Sequence, residues 1–255
     1  MKLATWNVNS LNVRLPHVLD WLAENPIDVL CLQETKQEDA KFPYADLQNA
    51  GYHAIHNGQK TYNGVAILST HEMTDVMHGI AGFEDEQKRV ISATINGVRV
   101  ICVYVVNGQA VESEKYDYKM RWLTALRHWL NDELKKYPKL VILGDYNIAP
   151  DDRDCHDPVA WEGNILVSPQ ERDAFEALLA LGLHDSFRLF EAGDGHFSWW
   201  DYRMMGFRRN HGMRIDHILV SDALKDKCVS CIIDKAPRKL ERPSDHTPVV
   251  LEVSD

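Results

Sequence analysis

The sequence predicts an α/β protein in which two packed β-sheets are flanked by helices. About ten short β-rich runs recur along the 255 residues, too many for a simple doubly wound sheet. Helical periodicity is confined to three stretches. No repeat, low-complexity segment or Gly/Pro/Ser-rich linker divides the chain, so residues 1–255 are expected to form a single domain, a size one sandwich core commonly reaches.

The elements follow in order. LATWNV from Leu3 reads as a strand, and a helical pattern runs from Leu15 to Asn25. DVLCLQE from Asp28, GVAILST from Gly64, RVISATI from Arg89 and VRVICVYVV from Val98 are apolar and rich in β-branched residues, as buried strands require. A long helix is predicted from Glu114 to Lys136, where Met120, Leu123, Leu126, Leu130 and Leu134 form an apolar stripe. KLVILGDYN from Lys139 is the next strand, and Pro169–Leu181 the third helix. HFSWWDYR from His196, RIDHILVS from Arg214, CVSCIID from Cys228 and TPVVLEV from Thr247 complete the strands. The connections at Asn107–Ser113, Asp151–Ser168 and Asp201–Met213 are the natural places for a site.

The composition is that of an ordinary globular protein. There is no signal-peptide pattern and no apolar run of membrane-spanning length, which predicts a cytoplasmic protein without a membrane partner. The five cysteines are expected to stay reduced, since Cys31 and Cys102 lie inside apolar strand runs. Cys228 and Cys231 form a lone C-x-x-C in a strand, where residues three apart point to opposite faces. The net charge of −10 excludes a protein that coats nucleic acid non-specifically. It leaves room for a local basic surface: Arg203, Arg208, Arg209 and Arg214 cluster late in the chain, followed by Lys235, Arg238, Lys239 and Arg242.

Polar acceptors close several of the apolar strands: Asn7, Glu34, Asp145 with Asn147, Asp216, and Asp245 with His246. Singly, each reads as a turn or cap residue. Together they make a coherent chemistry. Glu34 offers the hard oxygen that Mg²⁺ prefers. Asp145 and Asn147, two apart in an extended segment, point to one side, so one can take a proton from water while the other donates to a phosphate. His246 can stabilise charge developing on a phosphoryl oxygen, with the Asp216 carboxylate fixing its tautomer.

The segments WNVNSL at Trp6, LCLQETK at Leu30, YNGVAILS at Tyr62, GDYNIAP at Gly144, Arg-Ile-Asp at Arg214 and SDHTPV at Ser244 occur in one fixed order. In this the whole chain resembles the exonuclease III and abasic-site endonuclease type of the endonuclease/exonuclease/phosphatase superfamily. The resemblance implies a four-layer αββα sandwich of two mixed sheets. It implies a Mg²⁺-dependent DNA repair phosphodiesterase, with Mn²⁺ as a substitute metal, acting as a monomer on double-stranded DNA at 3′ ends or abasic lesions and leaving a 3′-hydroxyl. Metal binding falls to Glu34, with Asn7 and Asp245 nearby. Asp145 becomes the base or water-positioning group, Asn147, Tyr104 and His246 contact phosphate, Asp216 pairs with His246, and Gln109 reaches the DNA backbone.

FSWWDYRMMGFRRNHGMR has two readings. Phe197 and Trp199 suit a strand core, whereas the resemblance makes this a DNA-contact loop, with Trp199 and Met213 walling a sugar pocket and Arg203, Arg208 and Arg209 on phosphates. Leu166, before the Ser-Pro-Gln-Glu-Arg helix start, stands where the family carries a small residue. It either enters the lesion pocket, favouring 3′-end chemistry over abasic incision, or packs beneath the loop. Two other functions share the core: a phosphatase of non-DNA phosphoesters, and an inactive DNA- or RNA-binding regulator. The aromatic and basic stretch argues against the first, and the complete set of polar acceptors against the second.

Overall fold

The computed structural model describes residues 1–254. The chain runs β1 (Lys2–Asn7), α1 (Leu11–Glu24), β2 (Val29–Gln33), α2 (Tyr44–Asn49), β3 (His53–Asn57), β4 (Val65–Ser69), β5 (Thr74–His78), β6 (Val90–Ile95) and β7 (Val98–Tyr104). It continues through α3 (Glu114–Lys136), β8 (Leu140–Asp145), α4 (Pro158–Trp161), α5 (Pro169–Leu179), β9 (Leu183–Asp185) and β10 (Trp199–Trp200). The last elements are α6 (Gly206–Arg209), β11 (Gly212–Met213), β12 (Asp216–Ser221), α7 (Asp222–Lys225), β13 (Cys228–Ile233) and β14 (Val249–Val253).

Two six-stranded sheets form, in the orders β13-β14-β1-β2-β4-β3 and β5-β6-β7-β8-β12-β9, with β10 and β11 as a separate ribbon. Both are mixed. β1 runs parallel to β2 and β7 to β8, while the remaining pairs are antiparallel. Alternation along the strands sorts the side chains into layers. Leu3, Val29, Cys31, Ile67, Val100, Cys102, Val141, Leu143, Ile218 and Leu251 fill the space between the sheets. The outer face of the first sheet, with Ala4, Trp6, Leu30 and Leu32, buries against Val18, Trp21 and Leu22 of α1 and Leu47 of α2. That of the second, with Ile101, Val103, Ile142 and Leu219, buries against Trp122, Leu126, Trp129 and Leu130 of α3 and Phe175 and Leu178 of α5. The layering is αββα.

Several local expectations change. Helix α1 begins at Leu11, one turn before its periodicity, because Glu34 O and Thr35 O accept from the N–H groups of Ser10 and Leu11. Strands β3, β5 and β9, absent from the sequence reading, lie at or next to the free edges, where half-exposed backbone needs no apolar run. Most of HFSWWDYR is irregular, and only Trp199–Trp200 pair. A register shift between Cys228 and Ser230 overturns the opposite-face reading of Cys228 and Cys231. Both pack on the inter-sheet core, and all five cysteines are free thiols. Among the described residues no helix is long and apolar enough to cross a membrane.

Candidate active site

The polar cluster continues the inter-sheet core. On β1, Leu3 and Thr5 point between the sheets, and two residues on comes Asn7. Val141 and Leu143 lead in the same way to Asp145, Val100 and Cys102 to Tyr104, and Ile218 and Val220 lie on the same face as Asp216. Register then brings these ends together: Tyr104 pairs with Asp145 across β7 and β8, and Asp145 with Asp216 across β8 and β12. The apolar rows of both sheets end at one mouth.

Asn7 Nδ2 donates to Glu34 Oε1 at 2.8 Å and to Asp145 Oδ2 at 2.9 Å. Glu34 takes a left-handed backbone (φ 51), which turns it out of β2, and Lys36 Nζ lies 3.0 Å from its other oxygen. Lys36 also donates to Asn9 Oδ1, and Asn9 Nδ2 to Asp245 Oδ1 at 3.0 Å. The second Asp245 oxygen accepts from Trp199 Nε1 at 3.0 Å. Asp245 therefore joins Glu34 through Asn9 and Lys36.

His246 stands between two carboxylates. Its Nδ1 lies 2.8 Å from Asp216 Oδ2, which also accepts from Ser198 Oγ at 2.7 Å, and its Nε2 lies 3.7 Å from Asp145 Oδ2. Burial alone would lower the imidazole pKa, but Asp216 and Asp145 outweigh it and raise it to about 10. Burial pushes Asp145 up to about 7 against the pull of His246. Near neutrality the imidazole is a charged donor, and Asp145 is poised to take a proton. Burial, with Glu34 close by, also drives the Tyr104 pKa well above its ordinary value, so its hydroxyl remains a donor.

Ligating atoms of Glu34, Asp145 and His246 all lie within 4.8 Å of one another. The Glu34 and Asp145 carboxylates offer hard oxygens to a divalent cation at a partly open position, while the charged imidazole beside them donates hydrogen bonds and does not ligate.

The segment is not extended as the spacing suggested: β8 ends at Asp145 and Asn147 is left-handed (φ 48), so Asn147 meets Asp145 through its backbone N–H, on Oδ1 at 2.9 Å, while its side chain donates to Val105 O at 3.0 Å. Its Oδ1 accepts from Asn107 at 3.0 Å. Gln109 is exposed and lines a cleft of about 770 Å³ with Tyr62, Asn63, Arg89, Tyr104, Asn107 and Lys115. On the other side, Trp199 is partly buried over an apolar cluster of Ala149, Cys155, Leu166, Val167, Met213 and Ile215. Met213 is 0 % exposed, so it backs this wall and does not face solvent. Leu166 is 4 % exposed and strained at φ 74; its side chain joins the cluster under Trp199.

Arg208 and Arg209 are exposed on α6. Arg203 is exposed but held by Asp201, with Nη2 2.6 Å from Oδ2. The basic surface loses two members. Arg214 is buried between Asp154 and Asp185, and Arg238 is buried with Nη1 on Ser244 O at 2.7 Å. Lys36, Tyr62, Asn107 and Ser198 are site groups that sequence reasoning left unassigned. All four lay inside segments singled out in the sequence, Lys36 in LCLQETK, Tyr62 in YNGVAILS, Asn107 at the start of the Asn107–Ser113 connection and Ser198 in the aromatic and basic stretch, but no local signal gave any of them a role.

A two-sheet sandwich with this carboxylate and histidine mouth defines a class, and the chain belongs to the endonuclease/exonuclease/phosphatase family, which it matches over residues 4–246. Within that family it falls in the exonuclease III and abasic-endonuclease group. It is 39% identical to Exodeoxyribonuclease III of Haemophilus influenzae over 99% of both chains. It is 51% identical to a 3′ phosphatase from Neisseria solved with a product DNA hairpin, with a TM-score of 0.99 over 100% of both chains. An AP endonuclease from Archaeoglobus fulgidus is 40% identical, with a TM-score of 0.97, again over 100% of both.

Proposed function

We propose that this protein is a single-domain, Mg²⁺-dependent DNA repair hydrolase that removes phosphate or nucleotides from 3′ ends, leaving a 3′-hydroxyl. The single observation that carries this reading is the convergence of Glu34, Asp145 and His246 within 4.8 Å at the mouth of a core shared by both sheets. The 51% identity to a Neisseria 3′ phosphatase over the full chain supports DNA as the substrate.

Glu34 is the principal carboxylate for the metal, steadied by Asn7, and Asp145 borders the same position. When bound, the cation polarises the phosphoryl oxygens and offsets their charge. Asp145, near its midpoint at neutral pH, takes the proton of the attacking water, and the Asn147 N–H fixes the orientation of its carboxylate. The new water–phosphorus bond forms as the bond to the 3′ oxygen breaks, and that oxygen takes up a proton from solvent to become the 3′-hydroxyl. His246, held charged by Asp216, and the Tyr104 hydroxyl donate to the phosphoryl oxygens. Asn147, Gln109, Arg208 and Arg209 take the backbone phosphates, and Trp199, backed by Met213, forms the wall facing the terminal sugar. Leu166 packs beneath that wall and does not enter the pocket; its effect on specificity is to hold the wall in place, which leaves less room for an internal abasic sugar, tethered on both sides, than for a free 3′ end.

Duplexes with a 3′-phosphate, a recessed 3′ end or an abasic site, each with Mg²⁺ and with chelator, test the reading. Metal-dependent release from the first two is expected, with slower abasic incision. Equal rates in chelator, or no release from any DNA, would overturn it.

A further inference from the structure

Helix α3 buries two charged side chains along its apolar face, Lys119 and Glu133. Glu133 is answered by Arg99, whose Nε lies 3.0 Å from Oε2, on the flank of the second sheet. Lys119 has a different position. Its ammonium is 0 % exposed and meets three segments at once: it donates to Asn147 O at 2.7 Å, to Asn107 O at 3.1 Å, and to Glu171 Oε1.

Glu171 belongs to the capping box of α5, where its other oxygen accepts from Ser168 N and Ser168 Oγ at 3.1 and 2.7 Å. Gly108, between Asn107 and Gln109, lies against the Lys119 stem: an added Cβ would come within 3.1 Å of its Cδ. The loop after β7 and the loop after β8 are therefore clamped on one cation.

A buried ion pair is weak evidence for stability, because apolar residues of similar volume commonly replace it without loss. The two site carbonyls give this lysine another role. Asn147 is left-handed, so its carbonyl, its N–H on Asp145 and its side chain must move together. Asn107 bonds Asn147 Oδ1 through its side chain while its own carbonyl is tied to Lys119. Displacing the ammonium frees both loops next to the carboxylate that handles water.

We propose that Lys119 is a positioning residue for the hydrolytic step, acting through the carbonyls of Asn147 and Asn107 to hold Asn147 and, through it, Asp145 in register. This rests on the reading of Asp145 and Asn147 as groups acting on water and phosphate.

The test compares wild type, Lys119→Met, Lys119→Met/Glu171→Gln and Asn147→Ala on a 3′-phosphate duplex with Mg²⁺. The double variant leaves no unpaired buried charge and keeps an acceptor for the Ser168 cap, so it serves if the single variant fails to fold. A misplacement of about 1 Å can cost on the order of 100-fold. The double variant is expected to fold and melt cooperatively, below wild type because two buried carbonyls lose their donor, and to keep KM for DNA within about threefold, with kcat about 100-fold lower. A kcat within about threefold of wild type, a loss confined to KM, or failure of both Lys119 variants to fold would overturn the proposal and leave Lys119 a purely structural cation. Asn147→Ala separates the two failures. If it loses turnover while the double variant does not, the Lys119 proposal falls alone. If Asn147→Ala turns over like wild type, the reading of the site falls with it.

Discussion

Asp145 and His246 sit 3.7 Å apart, with the proton held on the imidazole by Asp216, and in the proposed reaction both act mainly in the transition state, where charge moves. Asp145→Asn and His246→Ala are each expected to lower kcat by about 10²–10⁴-fold, with little change in DNA affinity measured separately by equilibrium binding. Wild-type turnover in either variant would remove that group from the mechanism. Glu34→Ala should abolish the response of rate to added Mg²⁺, and direct Mn²⁺ titration should show the lost site. Leu166 tests specificity. Its left-handed backbone costs roughly 1–2 kcal/mol, and its buried side chain contributes about 2–5 kcal/mol of packing, so Leu166→Gly should be somewhat less stable. The same change opens the space under Trp199. The ratio of abasic incision to 3′-phosphate release, in single-turnover assays, is expected to rise in Leu166→Gly; an unchanged ratio would return the leucine to a packing role.

Among the elements, α6 and the loop before it decide how the acidic molecule meets DNA. The chain carries a net charge of −10, yet Arg208 and Arg209 are exposed and meet no acidic partner among the described residues, whereas Arg203 already has Asp201. Replacing Arg208 and Arg209 together with Gln is expected to flatten the log–log salt dependence of DNA binding by about one to two units. Arg203→Gln should change it less. Equal slopes in wild type and the double variant would place the two arginines outside the interface. The periodicity of α3 and the capping signal of α5 were readable locally. That α3 carries a lysine onto the loops of the site was not, because helical periodicity marks a buried position without naming its partner.

For the molecule as a whole, the network of Arg214, Asp154, Asp185 and His217 links stability to pH. His217 Nδ1 accepts from Arg214 Nη1 at 3.0 Å, and its Nε2–H donates to Ile148 O at 2.8 Å. Burial, reinforced by Arg214, lowers its pKa to about 4. Unfolding lets this imidazole take a proton below its ordinary value near 6.5, so its contribution is lost as pH falls from about 6.5 to about 4, on the order of 3 kcal/mol in all. Burial would raise Asp154 and Asp185, but Arg214 holds both below the usual carboxylate range, and their contribution disappears only at still lower pH. The stability gap between wild type and His217→Gln, from urea melts, should narrow by that amount between pH 7 and pH 4; a constant gap would refute the assignment. From the sequence alone came two packed sheets flanked by helices, read from continuous apolar strand runs, and a set of polar residues at the ends of LATWNV, VLCLQE and VILGD that singly read as turn or cap residues and become a site only when taken together. Tertiary structure decided the rest. Which strand ends meet depends on register, which turns on hydrogen bonds between segments far apart in the chain. The same long-range contacts buried Arg214 and Arg238, placed Met213 behind Trp199, and brought Lys119 to Asn147, because the partner of a buried charge is fixed by packing and not by its neighbours in sequence.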